Sequence, residues 1–327
     1  MPSPAELRAP ARPAGPGEPI DVSVVVCAFT GQRFAALEAA LASVDAQRPA
    51  ALETILVVDH DPALLARARH RFRGVRVLAS QGRPGLSGAR NTGVAAARGR
   101  IVAFLDDDAV AHPGWLRELV APFGDPAVIG TGGVALPDWE SGRPPWMPEE
   151  FLWVVGCSYR GLPGEERPIR NPIGATMAFR REVLRAAGGF AEGLGRVGRV
   201  PLGCEETELA IRAGALTGGT VRQRPGARVR HRVTSDRARW SYFRRRCWSE
   251  GLSKAAVRRE VGGGRALASE RRYVLRTLPA GILRGLRDTI TGDLFGLARS
   301  AAIAAGLFIT AAGYLWGAAR HAREVAR

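Results

Sequence analysis

Short apolar runs alternate with amphipathic stretches through the first third of the chain. Val22 to Cys27 is a β-branched run of the kind that forms a strand buried on both faces of a sheet. Next comes Phe34 to Gln47, where Leu37, Leu41 and Val44 recur at helix spacing. A second buried run, Thr54 to Val58, ends at Asp59. Val75 to Leu78 follows, then a glycine-rich connection from Gly82 to Gly88, a helix from about Ala89 to Ala97, and another buried strand, Ile101 to Leu105. This order predicts an α/β fold built on an open, mainly parallel sheet. Ligands of such sheets sit beyond the carboxyl ends of the strands, where Thr30, Asp59 and Asp106 to Asp108 fall.

From Pro137 to Pro172 the pattern gives way to Pro, Gly and Trp, with Trp139, Trp146 and Trp153 spaced through expected loops, as in an insertion on the acceptor side. Regular structure is expected again at Ala175 to Phe179 and in a helix near Glu205 to Ala213. Ser300 to Ala319 carries no charge over about the 20 residues needed to cross a bilayer. Its many alanines and glycines fit an amphipathic or core-packed helix equally well. The first 20 residues are rich in Pro, Ala and Gly without a continuous apolar core, which predicts a disordered leader rather than a secretory signal, and a catalytic part that stays in the cytoplasm.

Composition changes this picture little. The net charge of +16 points formally to nucleic acid or an anionic membrane, yet almost all of it is arginine, with Lys254 the only lysine, a bias that genome composition alone produces. Its distribution is more telling. Arg222 to Arg284 contains only Asp236, Glu250, Glu260 and Glu270 as acids, and the aromatics Trp240, Tyr242, Phe243 and Trp248 as apolar anchors for a basic surface. The four cysteines are widely spaced without a C-x-x-C pattern, so reduced thiols are expected rather than zinc or disulfides.

The candidate chemistry begins at Asp106, Asp107 and Asp108, directly after the strand Ile101 to Leu105. Three adjacent carboxylates repel one another, and a divalent ion shared with a diphosphate offsets that well, since hard oxygen ligands suit Mg²⁺ or Mn²⁺. An acidic turn capping a helix near Pro113 accounts for the triplet equally simply. In Gly88-Ala89-Arg90-Asn91-Thr92-Gly93, backbone amides and Arg90 are placed to face a phosphate where a helix opens, or to form an ordinary loop and cap. Asp59 is placed to accept from a base or ribose, or to form a turn. Glu205 and Glu206 precede a helix, either as a general base for an acceptor hydroxyl or as first-turn acids favoured by the helix dipole. His231, between Arg230 and Arg232, is a candidate third metal ligand, a phosphate contact or a structural histidine.

Taken in order, these segments resemble the family-2 glycosyltransferases. The resemblance runs from Val22 to Thr30 through Ile55 to Asp59, Gly88 to Gly93 and Phe104 to Asp108, then to Phe179-Arg180-Arg181, Gly188-Gly189-Phe190 and Glu205-Glu206. Within that family the chain looks most like glucosyl-dolichyl-phosphate glucuronosyltransferase-like proteins. Pro148 to Gly156, Arg170 to Gly174, Leu194-Gly195-Arg196 and Glu250 to Lys254 carry that likeness. The resemblance implies a GT-A fold with helices on both sheet faces and a helical C-terminal tail. The implied domain covers residues 21–255, with a nucleotide-sugar half at 21–135 and an acceptor half at 136–255; a basic helical tail occupies 256–327 and contains the candidate membrane segment 300–319. It further implies that Phe29 and Asp59 embrace a uracil-type base, that Arg90 approaches the diphosphate, and that Asp106 and Asp107 lie at the nucleotide sugar. Asp108, with Asp106 and His231, would hold Mn²⁺ or Mg²⁺, and Glu206, beside Glu205, takes the position of the catalytic base. Two departures stand out: Glu205-Glu206 replaces the family's usual Glu-Asp, and Asp59-His60-Asp61-Pro62 replaces its Asp-Asp-Gly-Ser type turn.

The implied reaction is inverting transfer by single displacement from a nucleotide-diphosphate sugar, UDP-linked and including UDP-glucuronate, to a polyprenyl-phosphate-linked or saccharide acceptor. It would take place at the cytoplasmic face of the membrane, with the tail peripheral or as one span. Three rival readings are a nucleic-acid-binding module, which leaves the acidic triplet unexplained and is not expected, a non-catalytic nucleotide-sugar-binding homologue, and a nucleotidyltransferase.

Overall fold

The computed structural model describes residues 20–195, 203–261 and 271–325. Residues 1–19 of the expected leader, and Arg196 of the 194–196 motif, lie outside the described residues. The chain divides into two compact units. The first draws on Met1–Leu136, Pro163–Val200 and Glu205–His231, the second on Pro137–Leu162, Pro201–Cys204 and Arg232–Arg327.

In the first unit the chain opens with β1 (Ile20–Ala28), α1 (Phe34–Asp45), β2 (Ala51–Val58), α2 (Pro62–Arg71) and β3 (Arg76–Ala79). Next come α3 (Leu86–Ala96), β4 (Ile101–Asp106), β5 (Ala109–Ala111), α4 (Trp115–Val120) and β6 (Val128–Trp139). It closes with β7 (Pro168–Ile169), β8 (Thr176–Arg180), α5 (Arg181–Ala186), α6 (Glu205–Thr217) and β9 (Thr220–Val233).

The apolar runs are buried on both sides for a simple reason. In β1, Val22, Val24, Val26 and Ala28 enter one core with Leu37 and Leu41 of α1 and Trp115 of α4, while Val25 enters the other with Ala89 of α3 and Leu209 of α6. Alternation along a strand sends consecutive side chains to opposite faces, so covering both faces with helices requires an unbroken apolar run. The strand order is β3-β2-β1-β4-β8-β6-β9-β5, with β7 paired to β9. β3, β2, β1 and β4 are parallel, whereas β8 pairs antiparallel with β4 and β6, and β9 pairs antiparallel with β5 and β7. The sheet is therefore mixed: its parallel half is the part read from residues 22–105, and its antiparallel half comes from the later, less periodic sequence.

One boundary moves with a consequence. α3 starts at Leu86, after Gly85 at φ +131°, so Gly88 to Gly93 lie inside the helix rather than opening it. Arg90 is thus in the second turn. Gly93 lets α3 approach β1, since a Cβ there would fall 2.5 Å from a Val25 methyl.

The second unit contains α7 (Trp240–Val261), α8 (Leu278–Ile290) and α9 (Phe295–Val325), with a short 3₁₀ segment at Glu149–Val155 where a loop was expected. Its core joins Phe151, Phe243, Cys247, Leu278 and Ile303. Tyr242 and Phe243 are buried there instead of anchoring a surface, while Trp240 and Trp248 remain partly exposed.

Candidate active site

β4 ends at Asp106, and the turn Asp107-Asp108 leads at once into β5, so the three aspartates lie at the carboxyl rim of the parallel strands. β5 pairs antiparallel with β9, and Ala109 stands opposite His231. That register brings His231 to the aspartates across more than a hundred residues of sequence. Its Nε2 lies 3.2 Å from Asp108 Oδ1 and 3.9 Å from Asp106 Oδ2. One ligand atom from each of Asp106, Asp108 and His231 lies within 4.8 Å of the others. Two carboxylate oxygens and an imidazole nitrogen form a donor set that can hold a divalent cation, and the residues fit the metal site that the acidic triplet anticipates.

The crowding of the triplet is also relieved by a residue the sequence reading did not select. Arg33, at the end of the 3₁₀ turn Gly31–Arg33 after β1, places Nη1 2.5 Å from Asp108 Oδ2 and Nη2 3.0 Å from Asp107 Oδ1. The same guanidinium lies 4.8 Å from the centroid of the half-exposed Phe29 ring. Asp108 thus turns one oxygen to Arg33 and the other to His231. The available signal was a cation three residues beyond Thr30 at a strand end.

Arg90 is 2% exposed, and its position corrects the expectation of a guanidinium at a helix opening. Nη1 donates to Glu205 Oε1 at 2.9 Å, and Nη2 donates to the Gly174 carbonyl at 3.2 Å and lies 3.5 Å from Asp106 Oδ1. One side chain therefore connects the acidic triplet to the Glu205-Glu206 pair. Burial works against its charge, yet Glu205, Asp106 and Glu206 hold its pKa above the ordinary value. Gly174 has no room for a side chain: a Cβ would stand 2.7 Å from Arg90 Nη2 and 3.0 Å from Glu206 Oε1.

The two glutamates at the start of α6 differ in kind. Glu205 is buried and paired with Arg90. Glu206 is half-buried, and its Oε2, like that of Glu205, is enclosed without a hydrogen-bond partner. Burial and the neighbouring Glu205 charge push the Glu206 carboxyl well above the usual carboxylate range, against the pull of Arg90. Nearby, burial pushes the Cys27 thiol up to about 12, so it stays a neutral thiol.

Asp59 is held elsewhere on the rim. Its Oδ2 accepts from the Gly85 amide at 2.9 Å, and its Oδ1 lies 2.7 Å from His60 Nδ1. The structure thus gathers Asp106, Asp108 and His231 into one cluster, links them to Glu205 and Glu206 through Arg90, ties Asp107 and Phe29 in through Arg33, and fixes Asp59 to the start of α3.

A mixed sheet with helices on both faces and an Asp-Asp-His cluster at its rim define a glycosyltransferase of the GT-A type, and comparison with known proteins agrees. Residues 23–188 match the model of glycosyl transferase family 2. The chain belongs to that family. It is 32% identical over 240 residues to glucosyl-dolichyl phosphate glucuronosyltransferase of Haloferax volcanii, covering 72% of this chain and 77% of the relative. Among solved structures, the mannosyltransferase PcManGT from Pyrobaculum calidifontis, in complex with GDP-Man and Mn²⁺, superposes with a TM-score of 0.61 at 20% identity over 94% of this chain and 89% of that one. GalNAc-T7 with UDP, GalNAc and Mn²⁺ superposes with a TM-score of 0.50 at 17% identity, over 77% of this chain and 53% of that one.

Proposed function

We propose that this glycosyltransferase moves a sugar from a nucleoside-diphosphate donor to a hydroxyl of a polyprenyl-phosphate-linked or saccharide acceptor, with inversion and by single displacement. The observation that carries the reading is Arg90, buried between Asp106 and Glu205, which couples the candidate metal ligands to the immediate neighbour of the candidate base in one charged network. The name of the Haloferax volcanii relative supports a lipid-linked acceptor and glucuronate as the donor sugar.

In this reading Asp108, Asp106 and His231 hold Mn²⁺ or Mg²⁺, which when bound neutralises charge on the departing diphosphate. Phe29 and Asp59 flank the base, Asp107 is paired with Arg33, and the amides at the start of α3 face the phosphates. Arg90 acts as a positioning residue, because its donors are already committed to Glu205, Gly174 and Asp106. Glu206 removes the proton from the attacking hydroxyl. Its raised pKa suits proton uptake, whereas Glu205 is held by Arg90 through Oε1. The enzyme works at the cytoplasmic face of the membrane, where its acceptor is anchored.

The test is product release from a panel of UDP- and GDP-sugars with Mn²⁺ and polyprenyl-phosphate acceptors. The reading expects nucleoside diphosphate and loss of turnover by at least about a hundredfold in Asp108→Ala. Pyrophosphate release from nucleoside triphosphates would replace it with nucleotidyl transfer, and full activity in Asp108→Ala would remove the metal assignment.

A further inference from the structure

Large apolar side chains are exposed unevenly along the chain. Of the sixteen that stand exposed among the described residues, ten lie between Leu275 and Trp316, on or beside α8 and α9. On α9, Leu297, Ala301, Ala304, Phe308, Ala311 and Leu315 are all exposed, spaced alternately by four and three, so they form one uncharged stripe along the helix. On α8, Leu283, Leu286 and Ile290 form a second such row. Apolar surface of this extent calls for a partner.

The opposite side of α9 is already occupied. A Cβ on Gly251 of α7 would collide with the Thr310 carbonyl oxygen, and one on Gly313 would fall 2.5 Å from the Trp248 carbonyl oxygen. Gly317 lies against Ala255 and Leu252, and Arg258 donates to the Tyr314 hydroxyl. Nearer its start, Ser300 donates to the Ile282 carbonyl of α8 at 2.9 Å. α9 is therefore held along most of its length by two other helices. Between Arg244 and Arg259, α7 carries six cations and one acid.

We infer that α8 and α9 lie in the plane of an anionic bilayer surface, with these two apolar rows lowered into it, and that α9 does not cross the membrane. This rests on the reading of a lipid-linked acceptor and adds how the enzyme meets the lipid. Phe295–Arg320 is long and apolar enough to span, but a spanning α9 would draw the cations of α7 into hydrocarbon or strip α7 from it. Lying flat requires neither. Lipid is favoured as the occupant by the charges that border the rows: Arg271, Arg272, Arg276, Arg287 and Arg320 are all exposed, where anionic head groups attract them. Trp316, exposed at the far end of α9, is a residue type enriched at such interfaces.

The full-length protein carrying a nitroxide at Leu297→Cys, Phe308→Cys or Leu315→Cys is mixed with phosphatidylcholine vesicles, with and without phosphatidylglycerol. Label depth is read from relative accessibility to oxygen and to a water-soluble nickel chelate. Thermal melting checks each fold, and the parent chain with its own cysteines gives the background. The expected result is binding that strengthens with phosphatidylglycerol, all three labels at one depth, about 5–10 Å into the boundary, and at least about tenfold weaker binding in Phe308→Glu/Leu315→Glu. Leu297 and Leu315 are about 27 Å apart along a helix axis, so a span would place the labels at widely separated depths. That outcome overturns the in-plane arrangement and leaves the lipid-surface reading standing. Binding with all three labels in water shows that another face meets the lipid. Failure to bind either vesicle removes the lipid-surface reading itself, and if the labels are then shielded by self-association, the stripe is an interface between copies of the chain.

Discussion

Arg90 and Glu205 form a salt bridge at 2.9 Å in which the two side chains are 2% and 5% exposed, although 115 residues separate them in sequence. Truncating one partner of such a pair leaves an uncompensated buried charge, while replacing both with apolar groups of similar volume does not. Arg90→Met should therefore cost about 3–5 kcal/mol of stability, and Arg90→Met/Glu205→Met should recover much of that loss without recovering turnover. Urea unfolding of the single and double variants measures the first, and product release the second. A double variant no more stable than Arg90→Met would show that the pair is not coupled.

Glu206 predicts a pH signature. Its pKa is raised in the folded state, so the native protein holds that proton more tightly than the unfolded chain does. Stability is then lost as pH rises from the unfolded value of 4.5 toward the folded one. Glu206→Gln cannot ionise and should melt higher than the parent at neutral pH, with the difference vanishing below pH 4.5. It should also lose turnover by about 10²–10⁴-fold. Equal melting temperatures at every pH would argue against the raised pKa, and an unchanged rate would move the base elsewhere.

Glu250 on α7 predicts the opposite slope. Although burial opposes its charge, Arg246 and Lys254, with a hydrogen bond from Cys204, hold its pKa down at about 2. Its stabilisation is present above the ordinary value of 4.5 and is lost as pH falls toward 2. Glu250→Gln should be less stable at neutral pH by on the order of 3 kcal/mol, and should close the gap with the parent in acid. A gap independent of pH would assign the effect to packing.

Gly174→Ala tests the tightness of the site. The added methyl would stand 2.7 Å from Arg90 Nη2 and 3.0 Å from Glu206 Oε1, so one of them must move. We expect kcat to fall by about a hundredfold from misplacement on the ångström scale, with a small change in KM for the donor. An unchanged kcat would mean that neither group needs its present position.

The sequence exposed what local physics decides. β1 and β4 were legible because burial on both faces demands continuous apolar runs, and the rim position of Asp106 to Asp108 followed from the end of β4. His231 was selected as a residue, but its approach to Asp108 depends on the pairing of β5 with β9, which no local pattern encodes. Arg33 is hidden for the same reason: a lone arginine after a strand acquires meaning only when the turn aims it at Asp107 and Asp108. Arg90 was found in the right motif with a different environment, because the start of α3 at Leu86 moved it one turn inward. The sequence of α7 predicts a basic surface because its apolar contacts, such as Phe243 with Phe151, come from distant segments.

The central claim is that Asp106, Asp108 and His231 hold one divalent ion at the donor site. Pulsed electron paramagnetic resonance of Mn²⁺ bound to the full chain with UDP tests it most directly, because a coordinated imidazole gives a nitrogen coupling that carboxylates and phosphates do not. The account predicts that coupling in the parent, its loss in His231→Gln with Mn²⁺ still bound, and loss of Mn²⁺ binding in Asp108→Ala. Bound Mn²⁺ without nitrogen coupling in the parent, or undiminished binding in Asp108→Ala, would contradict it.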